Sequence, residues 1–171
     1  MDAKTNNAIS KSMMFFHWVI GLGMIAVLIS GLVMDDESNN LLFNAHMSFG
    51  LLVLALSVPR LVGRLIGGMP KPMTERSKFE SIAAAVVMYS LLALTVVLPL
   101  SGIAVYGLSL FGFELVSSGR EIHMLKELGE GIHEFSGEAL LPFLLVLHLG
   151  ASFMHHFIKQ DGTLLRMLGK A

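Results

Sequence analysis

The sequence predicts an all-α integral membrane protein, a four-helix transmembrane bundle with both termini in the cytoplasm. Of its 171 residues, 54% are hydrophobic and only 15% are charged, whereas soluble domains carry about 25% charged residues. The mean hydropathy is +0.69. Four apolar stretches each reach the roughly 20 residues that a helix needs to cross the hydrocarbon core. They cover residues 13–34, 41–67, 79–110 and 132–158 of a single domain that spans residues 1–171.

Each predicted span ends at a recognisable signal. The first span is long, ends in the polar run "MDDESNN" and has no A-x-A site, so we expect an uncleaved helix. The second ends at glycines that are followed by prolines, in "GGMPKP". In the outer connection, Ile122, Leu125 and Leu128 recur at three-residue spacing between charges, which predicts a short helix lying at the membrane interface. The fourth span leads into a basic tail.

The distribution of basic residues predicts the orientation. An excess of Lys and Arg marks the cytoplasmic face, and ten of the twelve fall on one side of the four spans: Lys4, Lys11, Arg60, Arg64, Lys71, Arg76, Lys78, Lys159, Arg166 and Lys170. The other side carries only Arg120 and Lys126, together with seven acidic residues: Asp35, Asp36, Glu37, Glu114, Glu121, Glu127 and Glu130. In a bacterium the acidic loops would face the periplasm. The net charge of −1 gives no indication of nucleic-acid binding.

Four of the seven histidines fall at two matching depths in the predicted spans. His17 lies near the inner end of the first span, and His46 lies near the outer end of the second, which runs in the opposite direction. His133 opens the fourth span, and His148 follows 15 residues later, about 22 Å along a helix that rises 1.5 Å per residue. Fifteen steps of about 100° keep both on one broad face. His148 therefore shares the depth of His17, and His133 shares that of His46.

These pairs predict two b-type haems, an inner one ligated by His17 and His148 and an outer one ligated by His46 and His133. A six-coordinate haem iron takes two imidazoles from facing helices, which favours electron transfer. Zinc or copper is a weaker alternative, because neither a carboxylate nor a thiol accompanies each pair, and the chain contains no cysteine.

Glycine follows three of these histidines by four residues, at Gly21, Gly50 and Gly137. A bulky residue one turn from an axial ligand would collide with the porphyrin, so we interpret these glycines as cofactor-binding positions. A single His-x-x-x-Gly pattern could equally reflect helix association, which favours small residues in membranes. Three occurrences with depth-matched partners favour haem.

A basic rim is expected at the inner end of the bundle. His155 follows His148 by seven residues and returns to nearly the same face, about 10 Å nearer the cytoplasm. We interpret His155 as the candidate catalytic residue, a proton donor to a quinone headgroup, with Arg60 and Arg64 as candidate cofactor-binding residues. Anchoring by basic residues at the interface explains the same pattern equally well. His123 is assigned to surface structure.

The chain resembles the bacterial cytochrome b561 proteins of the inner membrane, which are four-helix dihaem cytochromes. The likeness covers most of the chain and rests on "HWVIGLGM", "HMSFGLLVL", "PRLVGRL", "LPLSG", "LHLGASFMHHF" and "DGTLLRM". The last two motifs are similar to those of the superoxide oxidases of this family. The resemblance implies haem ligation by His17, His46, His133 and His148, ubiquinone as the cytoplasmic-side acceptor, and a place for His155 near the quinone.

The sequence therefore predicts a multi-pass protein of the bacterial inner membrane that moves electrons between a periplasmic-side donor and a membrane quinone, through the outer and then the inner haem. The specific activity that the resemblance implies is superoxide:ubiquinone oxidoreductase. Two alternatives stay open. One is the cytochrome b subunit of a membrane dehydrogenase or hydrogenase, for which an acidic outer face would suit a basic periplasmic partner. The other is a haem-free, proton-coupled transporter subunit whose histidines relay protons.

Overall fold

The structure, a computed structural model, describes residues 9–34, 40–68, 70–110, 113–116 and 123–170. Over these ranges there are four helices long and apolar enough to cross a membrane: α1 (Lys11–Val33), α2 (Asn40–Gly67), α3 (Lys78–Tyr106) and α4 (His123–Ile158). A hairpin of β1 (Leu108–Leu110) and β2 (Phe113–Val116) lies between α3 and α4, and the short helix α5 (Thr163–Met167) follows α4. The predicted helical membrane bundle is confirmed, and the two-stranded hairpin is an addition that the sequence did not predict.

Serine residues cap two of the long helices at their inner ends. The hydroxyl of Ser10 accepts a hydrogen bond from the Met13 amide at the start of α1. At the start of α3, the Ser77 hydroxyl accepts from the Glu80 amide, and the Glu80 carboxylate accepts from the Ser77 amide. Such caps, of which the one at Ser77 is reciprocal, satisfy amides that have no partner within the helix.

The helices pack in chain order, α1 against α2, α2 against α3 and α3 against α4, and the middle of α4 returns to contact α1. Their shared interior holds one cluster of buried apolar side chains: Ile20, Met24, Val53, Leu94, Leu98, Leu141 and Leu144. Many other large apolar side chains point outward, among them Leu22, Ile29, Leu52, Val86 and Val146. An outward apolar surface of this kind suits a bundle that is surrounded by lipid.

Helix α4 begins earlier than predicted. The segment around Leu125 and Leu128 is not a separate interfacial helix, because α4 is continuous from His123 to Ile158. Its first turns contact α3, where Gly129 is buried so closely that a β-carbon there would lie 2.7 Å from Cγ2 of Val105. This close approach favours continuation of the helix against α3.

Helix α3 ends earlier than predicted, at Tyr106 rather than at Leu110. Gly107 follows it with a φ of 76°, a left-handed conformation that glycine adopts without a steric penalty. The chain then turns into the hairpin, in which Leu108 pairs with Val116 and Leu110 with Phe113.

Two π-helical segments interrupt α4, at Phe135–Leu140 and at Met154–Ile158. The first comes directly before Pro142, which has no amide hydrogen and whose ring would clash with the carbonyl of Glu138 four residues earlier. The Leu141 amide accordingly donates to the Ser136 carbonyl, five residues back. π-Helical turns occur frequently at functional sites, and here one follows His133 and the other contains His155.

Candidate functional site

The structure brings the four predicted histidines together as two pairs. The ring centroids of His17 and His148 are 6.1 Å apart, and those of His46 and His133 are 6.0 Å apart. A metal held between two imidazoles requires about 6 Å, because each nitrogen–metal bond is about 2 Å and each ring centre lies about 1 Å behind its nitrogen. The distances in both pairs therefore fit a bis-imidazole iron.

Each ring of the outer pair is held by hydrogen bonds at Nδ1. Nδ1 of His46 lies 3.0 Å from the Val27 carbonyl oxygen and 3.2 Å from the Ser30 hydroxyl. A carbonyl oxygen can only accept, so Nδ1 carries the proton and donates it. The lone pair of His46 is consequently on Nε2, the nitrogen that a haem iron needs.

His133 repeats this arrangement on α3. Its Nδ1 lies 3.0 Å from the Leu98 carbonyl oxygen and 3.0 Å from the Ser101 hydroxyl, which itself donates to Leu98 at 2.9 Å. The Ser30 hydroxyl likewise donates to the Val27 carbonyl at 2.9 Å. Both outer histidines therefore present Nε2 with a free lone pair.

Two glycines that sequence reasoning missed lie against the outer imidazoles. A β-carbon at Gly31 would fall 3.0 Å from Cε1 of His46, and one at Gly102 would fall 3.1 Å from Cε1 of His133. Each glycine directly follows the serine that bonds the same histidine, in "LISG" and "LPLSG". The repeated Ser-Gly pair in the first and third spans is the signal that could have revealed them. We name each carbonyl, serine and glycine set a histidine cradle: Val27, Ser30 and Gly31 for His46, and Leu98, Ser101 and Gly102 for His133.

The inner pair has a different environment. A guanidinium nitrogen of Arg60, Nη2, donates to Nδ1 of His17 over 3.0 Å, so this nitrogen is an acceptor and the proton of a neutral ring is on Nε2. The Nε atom of Arg60 is buried and has no hydrogen-bond partner among the described residues. Arg60 therefore has donor capacity directly beside the inner pair.

The three glycines predicted from the sequence differ in their surroundings. Within the described part of the chain, no side chain lies within 4 Å of the position that a β-carbon would take at Gly21 or Gly50, whereas one at Gly137 would lie 3.8 Å from Leu98. Close contact with neighbouring side chains therefore does not explain Gly21 or Gly50. Open space beside them is compatible with a flat group that extends along the helix surface.

His155 lies at the inner end of α4 and is buried against Asp161, with Nδ1 2.5 Å from a carboxylate oxygen. The predicted basic rim is partly paired with other groups. Arg64 donates to the Gly68 carbonyl at 3.3 Å, Arg166 donates to the Lys71 carbonyl at 2.9 Å, and Lys159 bonds Glu80 at 2.8 Å. Arg60, in contrast, donates to His17, a predicted ligand.

The outer side is described only in part. His123 is exposed and lies 3.4 Å from the Glu127 carboxylate, and Lys126 lies 3.7 Å from Glu130. Lys4 on the inner side and five of the predicted outer charges lie outside the described residues. The five are Asp35, Asp36, Glu37, Arg120 and Glu121.

A bare metal ion fits this arrangement poorly. No group of three or more His, Asp or Glu side chains able to hold a metal ion occurs in residues 9–34, 40–68, 70–110, 113–116 and 123–170. Structural zinc takes four protein ligands and catalytic zinc takes three. A pair of histidines suits a metal that brings its other ligands with it, as haem iron does.

Comparison with known proteins identifies the family of this chain. The family model described as prokaryotic cytochrome b561 matches residues 8–170. The chain belongs to the prokaryotic cytochrome b561 family. It is 28% identical over 172 residues to cytochrome b561 homolog 1 of Escherichia coli (strain K12), covering 95% of this chain and 97% of that protein. It is 26% identical over 167 residues to cytochrome b561 homolog 2 of the same organism, covering 91% and 88%.

Family membership makes this chain a membrane b-type cytochrome with a role in electron transfer. Together with four helices able to cross a membrane, it supports a multi-pass protein of the bacterial inner membrane, as the sequence predicted. A haem-free transporter subunit does not agree with a b-type cytochrome family, and we set that alternative aside.

Proposed function

We propose that this chain binds two b-type haems and connects an electron donor on the periplasmic side with a membrane quinone, and that its specific activity is superoxide:ubiquinone oxidoreductase. The observation that carries the dihaem proposal is the pair of centroid distances, 6.1 Å for His17 with His148 and 6.0 Å for His46 with His133. Both are what bis-imidazole ligation requires, and both pairs join helices far apart in the sequence.

The residues of the outer pair are prepared for ligation. The Val27 and Leu98 carbonyls keep the proton of each ring on Nδ1, so Nε2 of His46 and Nε2 of His133 are free to bind iron. Hydrogen bonds from metal-bound histidines to carbonyl groups also fix ring orientation and raise ligand basicity. These residues therefore need no change of tautomer to take the cofactor.

The inner pair requires Arg60 to change its partner. An imidazole that binds iron through Nε2 has its proton on Nδ1, which then cannot accept from Arg60. We propose that Arg60 instead donates to a haem propionate, with Arg64 one turn further along α2 as a second cation for it. Charge pairing would also satisfy the Nε atom of Arg60, which is buried without a partner among the described residues.

Haem held by two imidazoles would supply one-electron transfer. The protein would contribute the imidazoles, an apolar surround and a fixed orientation. At the inner end, we propose that His155 donates a hydrogen bond to a quinone carbonyl and supplies a proton when the quinone is reduced. Its position seven residues beyond His148 places it on the cytoplasmic side of the inner pair.

Haem quantification tests the cofactor proposal. The purified protein should be red, show reduced-minus-oxidised absorption of b-type haem, and contain two haems per chain by pyridine haemochrome analysis. One haem per chain would contradict the dihaem proposal, and a colourless protein from haem-replete cells would refute ligation altogether.

A superoxide assay tests the specific activity. Superoxide from xanthine oxidase should reduce the haems and then ubiquinone-1, and superoxide dismutase should abolish both reductions. His155→Ala should lower the rate of quinone reduction and leave two haems in place. His156→Ala is the matched control, because its ring contacts Phe157 rather than Asp161. Equal rates of quinone reduction in the wild type and in His155→Ala would indicate that His155 is only an anchoring residue at the membrane interface.

A second candidate function is electron transfer from a docked periplasmic protein, as in the cytochrome b subunit of a dehydrogenase or hydrogenase. Exposed acidic side chains on the outer side, including Glu114 and Glu127, favour it, because they would attract a basic partner rather than an anion such as superoxide. Copurification with a large redox subunit, and reduction that is insensitive to superoxide dismutase, would support this candidate instead.

A further inference from the structure

The chain after α4 turns back sharply beneath His155. The last turn of α4 is π-helical, and the Lys159 amide donates to the Met154 carbonyl, five residues back, at 3.0 Å. Gln160 follows with a φ of 51° and is the sole non-glycine residue with a positive φ in the described ranges. Such a conformation is unfavourable for a residue with a side chain and persists only where its surroundings require it. The turn places Asp161 directly against His155.

The Asp161 carboxylate receives hydrogen bonds from three different segments. Nδ1 of His155 lies 2.5 Å from Oδ2, the Thr74 hydroxyl donates to the same oxygen at 3.2 Å, and the Thr163 amide donates to Oδ1 at 2.9 Å. The Asp161 amide in turn donates to the His155 carbonyl at 3.1 Å. Both residues are 8% exposed. The carboxylate is therefore held by the connector between α2 and α3, by α4 and by α5 together.

This arrangement determines which nitrogen of His155 is available. An ionised carboxylate can only accept, so the proton on Nδ1 is committed to Asp161. Hydrogen bonds from Thr163 and His155 outweigh the effect of burial and keep the pKa of Asp161 below its usual value. Nε2 is then the nitrogen left to contact a ligand. A buried carboxylate orients the histidine of a Ser-His-Asp triad in the same manner.

We propose that Asp161 is a positioning residue, which holds His155 through Nδ1 and so directs Nε2 at the carbonyl oxygen of the quinone. With a proton on each nitrogen the ring is an imidazolium, which donates from Nε2 and becomes neutral when that proton passes to the reduced quinone. This proposal rests on the proposed function, in which His155 lies at the quinone site. Three features hold His155 in this position: the strained turn at Gln160, the π-helical turn at the end of α4, and the hydrogen bonds from three segments to the Asp161 carboxylate. Asp161 itself does not touch the quinone.

A double-mutant cycle on the haem-loaded protein tests the proposal. Asp161→Asn should lower kcat/KM for ubiquinone-1 by about tenfold to a hundredfold, the factor expected when a hydrogen bond to a charged group is lost. The haem content should remain that of the wild type. In the His155→Ala background, Asp161→Asn should have no further effect, because Asp161 acts through that ring. A merely structural role would lower the rate by the same factor in both backgrounds.

Thr74→Val provides a second, milder variant should Asp161→Asn fail to assemble. It removes one donor to the carboxylate and leaves the His155–Asp161 contact in place, so its effect on kcat/KM should be smaller and should also vanish in the His155→Ala background. The proposal is overturned if His155→Ala lowers kcat/KM while Asp161→Asn and Thr74→Val leave it unchanged, and the quinone site then survives. If His155→Ala itself has no effect, the proposed quinone site fails and the role of Asp161 fails with it.

Discussion

The histidine cradle of His46 makes a quantitative prediction about Gly31. A Gly31→Ala methyl group would lie 3.0 Å from Cε1 and 3.3 Å from Nδ1 of His46. Carbon atoms in contact prefer about 3.5–4.0 Å, so the ring must retreat by roughly 0.5–1 Å. The bonds from Nδ1 to Val27 and Ser30, now 3.0 and 3.2 Å long, would then reach or exceed the length of about 3.5 Å at which a hydrogen bond is lost.

The expected result is selective weakening of the outer haem. Losing a group that orients a metal-binding histidine lowers metal affinity by about 10–100-fold, which corresponds to about 1.4–2.8 kcal/mol. The assay is transfer of haem to excess apomyoglobin, in which the two proposed haems of each chain should be released as two kinetic phases. In Gly31→Ala one phase, carrying one haem per chain, should accelerate by that factor, and the other phase should keep its wild-type rate.

Gly150→Ala is the matched control, since Gly150 is exposed, unlike the half-buried Gly21 and Gly50, and no side chain in the described part of the chain lies within 4 Å of where its β-carbon would be. It makes the same chemical change in a long helix and should leave both phases unaltered. The reasoning is refuted if Gly31→Ala releases both haems at wild-type rates, or if Gly150→Ala and Gly31→Ala accelerate release equally.

Three further predictions follow from the same contacts. His148→Ala should reduce the haem content from two to one per chain by removing the inner haem, and two haems in this variant would contradict the pairing. Gly50→Leu places a bulky side chain in the open space beside the outer pair and should evict the outer haem by steric overlap; unchanged haem content would show that Gly50 serves helix association. Burial alone would raise the pKa of Asp161, but hydrogen bonds from Thr163 and His155 hold it well below its usual range. The stabilisation is therefore complete above the unfolded pKa of about 3.9 and is lost as the pH falls below it. The thermal midpoint of Asp161→Asn should accordingly fall less than that of the wild type between about pH 5 and about pH 3, and parallel curves would contradict this.

The long helices and the histidine pairs were accessible from the sequence for physical reasons. Helices in a bilayer must satisfy all backbone groups internally, so apolar length alone identifies the spans. Depth follows from the regular rise of the helix, and this is why His17 could be matched with His148 and His46 with His133 before any contact was known. The π-helical segment at Phe135–Leu140 changes the rotation between His133 and His148, yet both still meet their partners.

The features that the sequence did not reveal depend on contacts between segments. The early end of α3 and the hairpin after it follow from the left-handed turn at Gly107, and the early start of α4 follows from close contact of Gly129 with α3. The cradles of Gly31 and Gly102 require a histidine from one helix to meet a Ser-Gly pair on another. The sequence shows the histidine and the Ser-Gly pair separately, but it does not show that the two lie in contact.

Composition and helical periodicity by themselves determined that this chain crosses the membrane four times and carries histidines at two depths. Each of these conclusions needs only one helix at a time, because it depends on apolar length and on the regular rise per residue. Tertiary structure alone decided that Arg60 contacts His17, that carbonyls of α1 and α3 orient the outer imidazoles, and that Asp161 accepts a hydrogen bond from His155. The physical reason is that hydrogen bonds act over about 3 Å, so they depend on how the helices are placed against one another and not on the order of residues within any one of them.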